Sequence, residues 1–349
     1  VVARITGDKF VALYSYTDLN ELTELAKNIV SQSKHIRRDN DEYYKLALLI
    51  GIYPVQPGDS AITAVDCANI ARKNIVDYHL CNYMYYDESM HNTLANQKDI
   101  EDSMEDALRN HQFMVYYQPK FDIITKQLIG AEALVRWSRP TGMVSPAHFI
   151  PLFEENGFIV PLDYYVLDSV CAFLRARIDE GQKVVPISVN FSRLHLSTDV
   201  LPVVIKATLE RYNIPPHMIE IEITESALAA TEDYQLSILN ELRALGCVLA
   251  MDDFGSGMSS LNALRSLPFD VLKIDRDFLQ SESNSERERI VLSNVVRMAF
   301  ALDMRVICEG VETVEQEAFL RQIGCNYVQG FLYARPLPEE QFSADYLDK

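Results

Sequence analysis

Cationic side chains are scarce in this chain: 32 lysines and arginines stand against 50 aspartates and glutamates, a net charge of −18 over 349 residues. That balance argues against broad adhesion to DNA, RNA or an anionic membrane, and a small anionic ligand would need local help from arginines or bound metal. Cysteine is sparse as well. None of the six has Cys-x-x-Cys spacing, and Cys247 and Cys308 sit in apolar, strand-like runs, which points to reduced core thiols of a cytoplasmic chain. The seven histidines show no ligand spacing, so zinc is not expected. No apolar run approaches the roughly 18 residues of a membrane span and no signal-peptide pattern opens the chain, so no membrane contact is expected from this segment. The first residues are Val-Val-Ala-Arg rather than Met, which suggests a piece of something longer. What is present, 48% apolar and 23% charged residues, is the composition of a globular protein long enough for two domains.

Turn signals and periodicity divide it. Val1–Ile5 and Lys9–Leu13 flank a Thr6-Gly7-Asp8 turn and read as a hairpin, followed by a helix over Leu19–Ser33, a strand over Tyr43–Ile52, a helix over Ala61–Val76 and a strand over Leu80–Tyr86. Residues 86–112 contain no proline or glycine and read as an acidic linker helix between a first domain, 1–85, and a second, 113–349. From Phe113 strands and helices alternate. Strands are expected at Met114–Phe121, Leu128–Trp137, Val184–Asn190, Met218–Thr224, Val248–Asp252, Val271–Asp275, Arg305–Gly310 and Tyr327–Phe331, with helices between the later ones, Met258–Leu267 included. Eight strands in this pattern predict an α/β fold, a modified TIM (β/α)8 barrel. Only Asp122–Gln127 separate the first two strands, too few for a parallel crossover, so the first strand is expected to run antiparallel.

Reactive groups of such barrels lie at the carboxyl ends of strands. The polar residues there are Glu132 and Arg136, Asn190, Glu222, the Asp252-Asp253 pair, Lys273 and Asp275, Glu309, and Gln329. A lone strand-end polar group is ordinarily a satisfied structural one, but seven consecutive strands each carrying a polar group there is not the ordinary case. Adjacent strand residues face opposite ways, so Asp252 and Asp253 converge only where the strand ends in a turn, which Gly255 and Gly257 can supply. Oxygen ligands from Glu132, Asn190, Glu222, Asp252 and Asp253 suit Mg²⁺ or Mn²⁺, and two ions sharing a carboxylate would suit attack on a phosphoryl group.

At these residues the chain resembles the EAL family of cyclic di-GMP phosphodiesterases. It carries Glu132-Ala133-Leu134-Val135-Arg136-Trp137, Ser188-Val189-Asn190-Phe191-Ser192, Glu222-Ile223-Thr224-Glu225-Ser226, Asp252-Asp253-Phe254-Gly255-Ser256-Gly257, Lys273-Ile274-Asp275, Glu309-Gly310-Val311-Glu312 and Gln329-Gly330, over about residues 101–345. The resemblance implies hydrolysis of cyclic di-GMP to linear 5′-pGpG, with a non-hydrolysing receptor as the alternative. It implies two metal ions on Glu132, Asn190, Glu222, Asp252 and Asp253. Lys273 and Glu309 would act on the attacking water, Arg136 on a substrate phosphate, Leu134 and Gln329 on the substrate with Gln329 also beside the metal site, and Glu225 as the anchor of the loop after Asp253. It also implies a homodimer through that loop and the helix following it. Arg4-Ile5-Thr6-Gly7-Asp8-Lys9-Phe10 resembles a degenerate signature of the GGDEF (diguanylate cyclase) family. Thr6 and Lys9 replace a glycine and an acidic residue, so this domain, partial over 1–85, is expected to make no product. Whether it takes GTP as a regulatory ligand is left open by the resemblance. An enolase-type barrel, the other reading, would not explain Asn190 with the aspartate pair or an antiparallel first strand.

Overall fold

The computed structural model describes residues 1–33, 48–75, 81–228, 233–255, 264, 267–280 and 286–348. Contacts divide it into two compact units, Val1–Asp102 and Ser103–Lys349. In the first, Val2–Thr6 pairs antiparallel with Lys9–Ala12 around Gly7, whose φ of 50° is one glycine adopts freely. A helix follows at Leu19–Ser33. Ile50–Ile52 then pairs parallel with Tyr83–Tyr85, and the helix Ala61–Lys73, capped by the Ser60 hydroxyl accepting from the Thr63 N–H, packs on them. Gly51 permits that packing, because a Cβ there would lie 1.8 Å from the Ala68 carbonyl oxygen. Residues 43–47, 76 and 80, the outer parts of the expected elements, lie outside the described residues. The expected linker helix spans Glu88–Arg109.

The second unit is a closed eight-stranded barrel: β1 Phe113–Asp122, β2 Leu128–Arg139, β3 Ile187–Asn190, β4 Ile219–Thr224, β5 Val248–Phe254, β6 Val271–Ile274, β7 Arg305–Cys308 and β8 Tyr327–Val328. Neighbours from β2 to β8 are parallel. β1 is antiparallel to both β2 and β8, as the short connection requires. Among the elements unread in the sequence are a helix at Pro146–Asn156 and a small strand, Gly142–Val144, pairing with the end of β2. β8 is shorter than its expected Tyr327–Phe331 because the backbone turns at once. Gly330 lies so close to Val311 that a Cβ would come within 2.2 Å of the Val311 carbonyl oxygen.

Alternation explains how the barrel separates its two faces. In β4, Ile219, Ile221 and Ile223 join the core under the outer helices, each such burial contributing about 1.5–3 kcal/mol, while Glu220 and Glu222 turn inward. Ala250, Val271 and Ile307 form a separate apolar cluster. Phe113, Trp137, Phe149 and Phe153, all about fully buried, pack ring on ring and set the Pro146–Asn156 helix on the barrel. No single described helix is long and apolar enough to cross a membrane. Most of the helix expected at Met258–Leu267 lies outside the described residues. Of its leucines, Leu264 is buried in the barrel core and Leu267 packs against that core.

Candidate active site

Lys273 is the centre of the site. It is 1% exposed, and its Nζ lies 2.7 Å from Glu222 Oε2, 3.0 Å from Asp252 Oδ1, 3.4 Å from Glu132 Oε2 and 2.7 Å from Glu309 Oε1. The last approach is an ion pair without hydrogen-bond alignment, so Glu309 Oε1 is buried with no hydrogen-bond partner. Burial alone would drive the Lys273 ammonium toward neutrality, but Asp252, Glu132, Glu222 and Glu309 together lift its pKa well above the ordinary lysine value. It is a fixed cation.

The carboxylates come from successive strands. Glu132 accepts from Asn190 Nδ2 at 2.8 Å, and oxygens of Glu132, Glu222 and Asp252 lie within 4.8 Å of one another. A second group, Asp252, Asp253 and Glu309, meets the same limit and shares Asp252 with the first. Asp253 reaches it because the β5–β6 register slips between Met251 and Phe254 and Asp253 takes φ of 53°, which brings its side chain to the side that Asp252 faces. Gly255 continues the turn at φ 101°, where a Cβ would sit 1.9 Å from the Phe278 ring. Its N–H donates to buried Glu225 Oε2 at 2.9 Å. Ser256 and Gly257 lie outside the described residues.

Three side chains beneath the carboxylates were not found in the sequence: Lys120, Ser188 and Glu220. Lys120 Nζ donates to Ser188 Oγ, to Glu220 Oε1 at 2.7 Å and to Glu222 Oε1 at 2.9 Å. Burial would raise the Glu222 pKa, yet Lys120 and Lys273 carry it down to about 2. Its neighbours go the other way. Burial first, then carboxylate neighbours, raises Glu132 and Glu309, and burial with Asp252 raises Asp253 to about 6. The available signal was the spacing-two repeat Gln118-Pro119-Lys120, which the reversed direction of β1 turns into the barrel.

Six carboxylates, Glu132, Glu220, Glu222, Asp252, Asp253 and Glu309, thus face two lysines. The excess negative charge, the all-oxygen donor set and the Glu309 oxygen that has an ion pair but no hydrogen bond fit divalent hard cations. A cleft of about 380 Å³ opens over the set, bounded by Gln118, Asp253, Asp275, Arg276, Glu309 and Gln329 among others. Arg136, on β2, is half-buried, donating to the Val135 carbonyl with its guanidinium over the Tyr116 ring. Leu134, also on β2, is half-buried opposite Tyr116.

Comparison with known proteins follows the same line. Residues 101–336 match the model of the EAL domain family. MucR of Pseudomonas aeruginosa, named a bifunctional diguanylate cyclase/cyclic di-GMP phosphodiesterase, is 33% identical over 346 residues, 98% of this chain and 50% of its own length. The cyclic di-GMP phosphodiesterase RocR of the same organism is 38% identical over 237 residues, 68% of this chain and 60% of its own. A solved structure of PaMucR phosphodiesterase in complex with c-di-GMP is 37% identical with a TM-score of 0.66, covering 70% of this chain and 99% of that one. The chain spans about half the length of the curated relatives it matches.

Proposed function

This chain belongs to the EAL domain family, and from that premise we propose that it is a phosphodiesterase opening cyclic di-GMP to linear 5′-pGpG with two Mg²⁺ or Mn²⁺ ions bound. The observation that carries the reading is the convergence of carboxylates from four strands on one protonated lysine. Glu132, Asn190, Glu222, Asp252 and Asp253 would hold the ions, with Glu309 beside them. When bound, the ions supply an acidified water and positive charge for the phosphoryl oxygens. Lys273 orients the attacking water and offsets charge gathering on those oxygens. Glu309, whose burial makes it a better proton acceptor than an ordinary glutamate, takes the water's proton as the new P–O bond forms and the bond to the 3′-oxygen breaks. The released 3′-oxygen is protonated from solvent. Arg136 meets a substrate phosphate, Leu134 and Gln329 adjoin the substrate.

The first unit is, in this reading, a partial GGDEF-like domain without cyclase activity. The match to MucR, which runs through both units, supports its kinship, and Lys9 supports its inactivity. A homodimer through the segment after Asp253 would rest on residues other than Leu264 and Leu267, which turn inward.

Purified protein with Mn²⁺ or Mg²⁺ and cyclic di-GMP is expected to yield the linear dinucleotide by chromatography, and none in a chelator. Tight binding without turnover would replace the hydrolase with a receptor. In the same assay, Glu132→Ala protein given GTP is expected to form no cyclic di-GMP, and product there would overturn the inactive-cyclase reading; titrated GTP tests regulation.

Glu225→Gln is expected to weaken Mn²⁺ binding and lower turnover by about 10–100-fold, although Glu225 is placed on the loop backbone rather than among the metal ligands. Calorimetric titration beside sedimentation of the same variant checks it. Parent-like affinity in a folded variant would mean the loop is held by other contacts.

A further inference from the structure

Gln329 is a buried amide with only half of its polar capacity used. It is 4% exposed and follows β8 directly. Its Nε2 donates to Glu132 Oε2 at 2.6 Å and to Gln118 Oε1 at 3.0 Å, while its Oε1 is buried without a partner. An unsatisfied buried acceptor costs about 1–3 kcal/mol, so something must prevent the amide from turning over.

Polarity does so. Glu132 accepts from Asn190 through one oxygen, and its other oxygen, 3.4 Å from the Lys273 ammonium, faces donors too, so it meets Gln329 as an acceptor. Gln118 cannot exchange roles, because its own Nε2 donates at 3.2 Å to the Ala334 backbone carbonyl, which also can only accept. Gln329 therefore meets an acceptor on both sides and must present its amino group to them. Gln329 lines the cleft with Asp253 and Glu309, and its carbonyl oxygen is the polar atom these neighbours leave without a hydrogen bond.

We propose that Gln118 is a positioning residue of the site: anchored on the Ala334 carbonyl, it orients Gln329 so that the Gln329 carbonyl oxygen is offered to a divalent cation or its hydration shell. Amide carbonyls are ordinary oxygen partners of such ions, and groups that orient a ligand are part of the site's affinity. The inference rests on the metal-dependent reading above and adds a residue acting only through Gln329.

The test is a double-mutant cycle read by Mn²⁺ calorimetry on the full chain, with parent, Q118M, Q329M and the double variant. Q118M is expected to weaken Mn²⁺ binding about 10-fold. In the Q329M background the same change is expected to alter affinity by less than about 2-fold, since its effect passes through the residue already removed. If Q118M does not fold, Q118N, which withdraws the amide by one methylene, enters the same cycle with the same expectation. Parent-like affinity of the Gln118 variant, or an undiminished loss on top of Q329M, would overturn the relay while leaving the metal-dependent reading intact. A parent that binds no Mn²⁺ would overturn both.

Discussion

Glu132→Ala is expected to lower turnover of cyclic di-GMP by on the order of 10³-fold and to abolish the rise in melting temperature that Mn²⁺ gives the parent. The loss exceeds one charge. Glu132 receives Asn190 Nδ2 and Gln329 Nε2 and stands 3.4 Å from Lys273, so its removal frees two amides as well as taking away an oxygen ligand. Stability of the metal-free protein should behave differently. Burial and the neighbouring Glu222 already raise the proton affinity of Glu132, a sign that its charge is costly there without a cation. Metal-free E132A is therefore expected to melt at or above the parent temperature. Thermal melts in chelator and in excess Mn²⁺ separate the two effects. Parent-like turnover, or an undiminished Mn²⁺ shift, would remove Glu132 from the proposed ligand set.

Lys273→Met is expected to do the reverse to the metal-free protein. Four carboxylates lose the cation they share, and removing one partner of buried ion pairs typically costs about 3–5 kcal/mol. The carboxylates of the variant would take up protons instead, so the deficit should shrink as pH falls and grow as pH rises through the carboxylate range. Excess Mn²⁺ should return part of the stability without returning turnover, which is expected to stay about 10³-fold down because nothing then orients the water. Denaturant melts at several pH values, with and without Mn²⁺, measure this. A metal-free variant as stable as the parent would show that the cluster is neutralised by protons and that Lys273 is not its counter-cation.

Much of this arrangement was legible in the sequence for definite reasons. The strand-helix alternation from Phe113 onward carries the barrel, and the brevity of Asp122–Gln127 carries the reversed first strand. Listing strand ends found Glu132, Asn190, Glu222, Asp252 and Lys273, since parallel strands deliver their last residues to one mouth. The same rule hid Gln118 and Lys120. On a reversed strand, groups at the level of the site come from the middle of the run, where they look like polar interruptions of an apolar segment. The left-handed backbone of Asp253 was hidden for another reason: nothing local demands it of an aspartate, and it follows from the register slip beside β6. The Pro146–Asn156 helix went unread because its apolar face is set by the Phe113–Trp137 aromatic cluster, a contact between distant stretches.

The reversed strand also bears on the order in which the molecule can assemble. β1 and β2 are joined by a few residues, so their pairing closes a small loop and can form on the microsecond scale of hairpins. On its other edge β1 meets β8, where Phe121 pairs with Val328 about 200 residues away, the kind of contact whose loop entropy delays it. Gln118 lies on one side of that seam and Gln329 on the other. A chain that has made every local pairing but not this one would lack the Gln118–Gln329 bond and any group β8 holds over Glu132. The seam makes a finished reaction centre a late event of folding, and an incompletely zipped barrel would be inert rather than partly active.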